Sequence, residues 1–356
     1  MGKSLKRRRY RGRGARSNAK EKSVRMKPTI YDIARLAGVS TATVSKVLNN
    51  TGRISEKTRE RVTRIMDDLN YRPNMLASAM KGKSTYQIAF FIPDIDNPIY
   101  AQFVKHIEVR GQELGYNVVL CSTDNDPEKE ERHVTLLRQR RVDGFIIASK
   151  FKNEELLKEL IRDDVPVALF AHERADLSVD SITVDDYMGG YMATEYLHQL
   201  GHRRIGVVGE DSISAVERIR GYKNAHETAG IPFEEDLIVI GGSTYDGGEA
   251  AAARLLDRPD RPSAIFGCND VLAIGVLQAA KARGIPVPDE LSVIGFDDTP
   301  LCSLVTPKLS SVSMPVSELG KHVTDTIIRK IEQADAPKQR IRMLPGLSIR
   351  ESTAKL

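Results

Sequence analysis

Apolar residues recur at helical spacing early in the chain, within TIYDIARLAGVSTATVSKVLN from Thr29 to Asn49. Ile30, Ile33, Ala34 and Ala37 fall at i, i+3, i+4 and i+7, which predicts a two-turn helix with one apolar stripe. Thr29 stands at its N-cap position, and Asp32 three residues on completes a capping box. Gly38 offers the left-handed residue that ends a helix, and Ser40 can cap the next. In that second helix Val44, Val47 and Leu48 form the buried face, so Thr41, Ala42, Ser45 and Lys46 point outward. A third helix is predicted after Ser55, with Val62, Ile65, Met66 and Leu69 inside and Lys57, Arg59, Arg61 and Arg64 outside. It ends at NYRP, because proline disfavours helix at the residue before it.

A second helix that is slim and polar on its outer face suits the major groove of DNA, where donors reach base edges. Ser40 and the unpaired N–H groups of the helix start can meet a phosphate, and Lys46, one turn in, can reach guanine O6 or N7. An ordinary helical pair in a globular core is the competing reading, and it leaves the polar outer face unexplained.

In order and content TIYDIARLAGVSTATVSKVLN, ISEKTRERV and LNYRPN closely resemble the lactose/galactose repressor family. The resemblance implies a helix-turn-helix headpiece over 27–73 whose DNA-binding residues are Thr29, Tyr31, Ser40, Thr41, Ala42, Thr43, Ser45, Lys46, Asn49 and Tyr71. Residues 74–83 would form a hinge, and NMLASAM at 74–80 is too short to hold a helix alone in water. In the resembled family this segment folds on operator DNA, and paired hinge helices wedge apolar side chains into the minor groove. Asn74 and Ala77 match hinge positions, Met80 stands where most members have leucine, and Ser78 replaces a common arginine. A plain interdomain linker is the alternative.

Charge separates the same regions. Residues 1–26 hold 11 Lys or Arg against one acidic residue, and residues 27–83 hold 11 against five. That leaves 31 basic against 42 acidic residues in 84–356, an acidic body attached to a basic, phosphate-seeking end. KRRRYRGRGAR, near the N-terminus, has no apolar periodicity. Residues 1–26 read either as a disordered basic arm or as a mis-assigned start, since Met26 directly precedes KPTIYDIA.

Residues 84–356 alternate short apolar runs with amphipathic stretches, which predicts parallel α/β sheets covered by helices. Strand-like runs are QIAFFIP, NVVLCS, GFIIAS, VPVALF, IGVVG, LIVIG, SAIFG, LSVIGF and SSVSM, with helix-like stretches at 98–114, 186–200, 214–229, 269–283 and 316–334 among them. The resemblance implies a periplasmic-binding-protein-like body of two interleaved lobes around an effector cleft. Ligands of open parallel sheets bind beyond the strands' carboxyl ends. Asp94, Asn97 and Tyr100 follow the first strand, and Phe296 ends another. Asp270 and Arg218 occupy family cleft positions, and Asp185 is expected near the lobe junction. His172 and Arg174 stand where an aspartate–arginine pair is common, and Tyr191 where sugar-responsive members carry arginine and purine-responsive ones can carry tyrosine. Carboxylates beside an aromatic platform suit a polyol ring. The expected effector is therefore a sugar or sugar phosphate, with a nucleobase, a nucleoside or a protein co-regulator as alternatives.

No catalytic constellation, phosphate loop or metal cluster is visible, so neither enzyme activity nor a cofactor is expected. Cys121, Cys268 and Cys302 are far apart and suggest reduced core thiols of a cytoplasmic protein. His198 and His202 are four apart without the glutamate of a zinc motif. No apolar run is long enough to span a membrane. A sugar-transport receptor fits 84–356 in isolation but not the attached headpiece. The reading is a homodimeric transcriptional regulator, a repressor at a pseudo-palindromic operator.

Overall fold

The computed structural model of the chain describes residues 28–48, 52–71, 84–148 and 150–356. They belong to two units, divided between Met75 and Leu76. Asn49, Asn74, Ala77, Met80 and both readings of residues 1–26 lie outside the described residues.

The headpiece consists of α1 (Ile30–Ala37), α2 (Thr41–Leu48) and α3 (Glu56–Asp68). Each begins as its sequence dictates. Thr29 Oγ1 donates to Asp32 Oδ2 at 2.7 Å and the Thr29 N–H reaches the same oxygen at 2.9 Å, closing the capping box. Ser40 Oγ accepts from the Thr43 N–H at 3.1 Å, and Ser55 Oγ from the Thr58 N–H at 3.3 Å. Gly38 turns the chain between α1 and α2 at φ 61°. The core is small: Ile33, Ala34, Ala37, Val44, Val47 and Val62. With so little apolar area, caps worth about 1 kcal/mol each matter to whether these helices form.

The body has two six-stranded sheets. In lobe 1, β1 (Gln87–Ile92), β2 (Asn117–Ser122), β3 (Gly144–Ile147), β4 (Val167–Phe170) and β5 (Asp180–Val184) are joined by β11 (Arg340–Met343), in the order β11-β5-β4-β3-β1-β2, all parallel. In lobe 2, β6 (Ile205–Glu210), β7 (Ile238–Gly241), β8 (Ala264–Gly267), β9 (Ser292–Asp297) and β10 (Ser310–Ser313) run parallel, and β12 (Gly346–Ser348) closes the edge antiparallel to β10. The covering helices are α4 (Pro98–Glu113), α5 (Pro127–Gln139), α6 (Glu154–Arg162), α7 (Asp186–Gln199), α8 (Ile213–Thr228), α9 (Tyr245–Leu256), α10 (Asp270–Ala282) and α11 (Val316–Glu332). Inner strands such as FII, VALF and AIFG are buried along their whole length, the pattern of parallel strands covered on both faces.

All nine apolar runs singled out in the sequence form strands. Three strands lack such a run. β5 opens on Asp180, whose buried carboxylate accepts from Arg329 Nη2 at 3.1 Å and from the Gln339 N–H at 2.8 Å. β11 (RIRM) is an edge strand with outward arginines, and β12 is only three residues long.

The chain crosses between lobes three times: at Val184–Asp185 into α7, at Met314–Pro315 into α11, which packs on α4, and at Leu344–Pro345. In lobe 2, α7 and α8 lie backbone against backbone. A Cβ on Gly190 would sit 2.0 Å from the Arg218 carbonyl oxygen, and one on Gly221 equally close to the Tyr187 carbonyl oxygen. Gly190→Ala should therefore cost about 3 kcal/mol in urea unfolding, at the upper end of overpacking because the obstacle is backbone. An unchanged midpoint would mean that these helices part freely.

Candidate DNA-reading face and effector cleft

On α2, Val44 and Val47 face the headpiece core, while Ala42 and Lys46 are exposed and Thr41, Thr43 and Ser45 partly so. Tyr31 is 72% exposed on α1. Ser40 and Thr29 are exposed at the two helix starts. The slim polar face inferred from spacing therefore exists in three dimensions. Tyr71 differs: it packs against the headpiece core, half-buried, and burial raises its phenol pKa. Its ring belongs to the fold of the headpiece before any contact with DNA.

The body's polar centre lies at the carboxyl ends of β6, β8 and β9. Arg218, on α8, is 6% exposed and its Nε donates to Asp186 Oδ1 at 2.8 Å. Nη1 donates to the Cys268 carbonyl and lies 3.7 Å from Asp297 Oδ1. The guanidinium carbon sits 3.5 Å above the centre of the Phe296 ring, a cation–π contact in a dry setting. Asn269 caps α10 through the Leu272 N–H at 2.8 Å and donates its amide to the Glu210 carboxylate. Asp297 has φ 108°, a left-handed conformation that side chains rarely adopt, and Asp298 follows at φ 56°. Strain of this kind persists where the surroundings enforce it and is typical of binding sites.

Three carboxylates face one guanidinium. Burial raises the pKa values of Asp186, Glu210 and, most strongly, Asp297, with Arg218 acting in the opposite direction on each. Burial also opposes the charge on Arg218, but Asp186, Asp297 and Glu210 more than offset it. From lobe 1, Tyr100 faces this group. Burial first, and then the charges of Glu210 and Asp297, push its phenol above the ordinary range. The lobes also meet through Ser214 Oγ, which donates to the Ala171 carbonyl at 3.2 Å, and through Lys152 and Asp211 at 3.7 Å. The Lys152 loop is anchored by Glu130, fully buried, which accepts from the Lys152 and Asn153 N–H groups at 3.0 and 2.9 Å.

Of the residues singled out by sequence, Arg218, Phe296 and Tyr100 come together here. Phe296 is fully buried and serves as the floor beneath Arg218. Asp185 stands at the lobe crossing as the N-cap of α7. Asp94 folds its carboxylate onto the Asp96 N–H, and Asn97 caps α4. Tyr191 is half-buried on α7. His172 is buried with Nδ1 on the Phe170 carbonyl, which makes Nδ1 the donor, and burial lowers its pKa to about 4.

Two of the named residues are engaged within the protein. Asp270 is fully buried, and its two oxygens are taken by Ser311 Oγ and the Thr299 N–H, each at 2.6 Å. It ties α10 to the segment after β9 and to β10. Arg174 is paired with Asp176 and Glu154, with contacts of 2.8 to 3.4 Å. Asp186, Glu210, Asn269 and Asp297 join this centre without having been named from the sequence. Three of them adjoin a residue that was named, so the missed signal was the register of the strand end.

The chain is 43% identical over 336 residues to the HTH-type transcriptional regulator DegA of Bacillus subtilis (strain 168), covering 93% of this chain and 99% of that one. Residues 29–74 match the family described as bacterial regulatory proteins, lacI family. The chain belongs to the lacI family. Residues 194–353 of this lacI-family member match the periplasmic binding protein-like domain. It is 36% identical over 327 residues to the ribose operon repressor of Escherichia coli (strain K12), covering 91% of this chain and 99% of that protein. The lac repressor dimer bound to operator and the anti-inducer ONPF matches with a TM-score of 0.82 at 27% identity, covering 92% of this chain and all of that one. The protein is thus a DNA-binding transcriptional regulator, and its relatives are regulators, not enzymes. Among the described residues no helix is long and apolar enough to cross a membrane.

Removing the buried guanidinium leaves three carboxylates without their cation. Arg218→Met should lower body stability by about 3–5 kcal/mol at pH 7. The deficit should shrink towards pH 5. Carboxyl groups whose folded pKa values are raised stabilise the fold while protonated and lose that contribution as pH rises, so acid relieves the variant. A deficit independent of pH would show that the lost contacts are steric, not electrostatic.

Proposed function

We propose that this regulator represses transcription as a cytoplasmic homodimer on a pseudo-palindromic operator and responds to a neutral sugar in the cleft between its lobes. The observation that carries the effector class is the acidic excess at the strand ends: Asp186, Glu210 and Asp297 around one arginine, with Tyr100 opposite. Such a site accepts hydrogen bonds from several hydroxyl groups and offers a ring face. It disfavours a phosphate ester, since like charges about 4 Å apart cost on the order of 4 kcal/mol at an effective dielectric constant of 20. The solved complex of the regulator CelR with cellobiose, similar over 91% of this chain at a TM-score of 0.71, supports a sugar, as do the ribose operon repressors.

Bound between lobes, the sugar would bridge Tyr100 on one side and Glu210, Asp297 and Arg218 on the other. The three crossings permit one lobe to rotate on the other, and hinges at 74–83 of two subunits would then change separation. Coupling of this kind is typically about 1–3 kcal/mol, or roughly 5–150-fold in operator affinity.

The deciding experiment is a thermal-shift screen of the full chain against sugars, sugar phosphates, nucleobases and nucleosides. A ligand at 100 times its dissociation constant adds about 2.7 kcal/mol. A sugar should raise the melting temperature and its phosphate ester should not. A shift from phosphate esters or purines alone would overturn the neutral-sugar reading. Asp297→Asn should remove the sugar response while leaving sugar-free operator affinity unchanged. Lys46→Ala should weaken operator binding about tenfold and relax preference at one base pair, and uniform weakening across sequences would confine Lys46 to the phosphates.

A further inference from the structure

Two costly features of lobe 1 stand where its chain meets lobe 2. The first is Glu130 on α5, which is fully buried and has no ion pair among the described residues. Burial raises its pKa, and its oxygens accept from the Lys152 and Asn153 N–H groups at 3.0 and 2.9 Å. A buried carboxylate without a cation is expensive, and this one is spent on fixing a short loop. The loop is held on both sides of Lys152. The Phe151 ring packs edge-to-face on Phe91 at 5.5 Å, and Asn153 caps α6 through the Leu156 N–H at 3.2 Å. Lys152 itself reaches across to lobe 2, with Nζ 3.7 Å from Asp211 Oδ2.

The second feature is Ala171, just past β4, which holds φ 57° although it is not a glycine. A left-handed alanine is strained, and its surroundings must enforce the conformation. Its carbonyl accepts from Ser214 Oγ of lobe 2 at 3.2 Å. Both contacts therefore land on the same turn. Ser212 folds back on Glu210, its N–H 2.9 Å from the Glu210 carbonyl and its Oγ 3.2 Å from the carboxylate. It also caps α8 through the Ala215 N–H at 3.0 Å, which fixes Asp211 and Ser214 at the start of that helix. Arg218, which organises the cleft, follows Ser214 by one turn.

We infer that the loop Phe151–Asn153 is an electrostatic clasp: Lys152 engages Asp211 to hold the lobes together, and Glu130 is its positioning residue. An exposed ion pair is ordinarily weak, because two long side chains must be immobilised and water screens them. Here the backbone on both sides of the gap is already fixed, so little beyond the Lys152 side chain remains to be ordered. The clasp rests on the lobe rotation proposed above and on no particular effector. It makes closure of the empty cleft depend on salt, and it ties lobe 1 to the helix that carries Arg218.

Double electron–electron resonance between spin labels at Glu131→Cys on α5 and Arg254→Cys on α9 tests this in the full chain, mixed with excess unlabelled chain. Both positions are exposed, and the native cysteines are buried. Asp211→Lys, an exposed change, should raise the population of wide separations about threefold, and adding Lys152→Asp should restore the native distribution. Salt at about 1 M should widen the wild type in the same sense. Glu130→Gln leaves the charges across the gap unchanged, yet it should widen the distribution likewise and add little beside Asp211→Lys. A broad wild-type distribution that ignores Asp211→Lys, or a swap that restores nothing, would overturn the clasp and leave the rotation standing. A Glu130→Gln effect that persists in full beside Asp211→Lys would strip Glu130 of its positioning role. One narrow distance in every variant would sink the rotation and the clasp together.

Discussion

The buried guanidinium of Arg218 ties the start of a covering helix to the neighbouring ends of two central strands of lobe 2. It reaches the start of α7 through Asp186, the end of β8 through the Cys268 carbonyl and the end of β9 through Asp297, and it rests on Phe296. A charge so deeply placed is tolerable only because carboxylates and a carbonyl surround it. Its position also requires the two glycine contacts between α7 and α8, since a side chain at either would push α8 away. The strained backbone at Asp297 belongs to the same arrangement, because it turns a carboxylate toward the arginine at the point where the strand ends.

This region holds more acid than its single arginine balances. Unspent acceptors in a dry setting favour a ligand rich in donors, which is the basis of the proposed sugar response, and the structure shares the excess among several carboxyl groups. The headpiece is built on the opposite electrostatic sign and on the opposite principle. Its core is six modest side chains, and its helices depend on caps at Thr29, Ser40 and Ser55.

The headpiece elements and most of the body were legible in the sequence, for specific reasons. Caps and 3.6-residue periodicity are local signals, and strands buried on both faces leave unbroken apolar runs. β5, β11 and β12 were not legible, because partners distant in sequence make them strands: Arg329 and Gln339 satisfy Asp180, and pairing at sheet edges recruits RIRM and GLS. The polar centre of the candidate site was legible only in part: Asp186, Asn269 and Asp297 each adjoin a residue named from the sequence, and Glu210 does not. At GCND and GFDD neighbouring side chains have opposite fates, and sequence alone does not say which of two adjacent groups turns into the cleft. The reach of Arg174 to Glu154, twenty residues away, and the double hydrogen bonding that occupies Asp270 are both tertiary facts.

The lobe crossings have a consequence for how the chain is made. Lobe 1 takes its outer strand from residues 340–343 and a covering helix from 316–332, and lobe 2 takes its edge strand from 346–348. Neither lobe can complete its sheet until nearly the whole chain has left the ribosome. The headpiece draws its core entirely from residues 30–71. At about 5–20 residues per second, roughly tens of seconds separate the emergence of these two parts. During synthesis, and in any prematurely terminated product, a reading head exists before the apparatus that is meant to govern it.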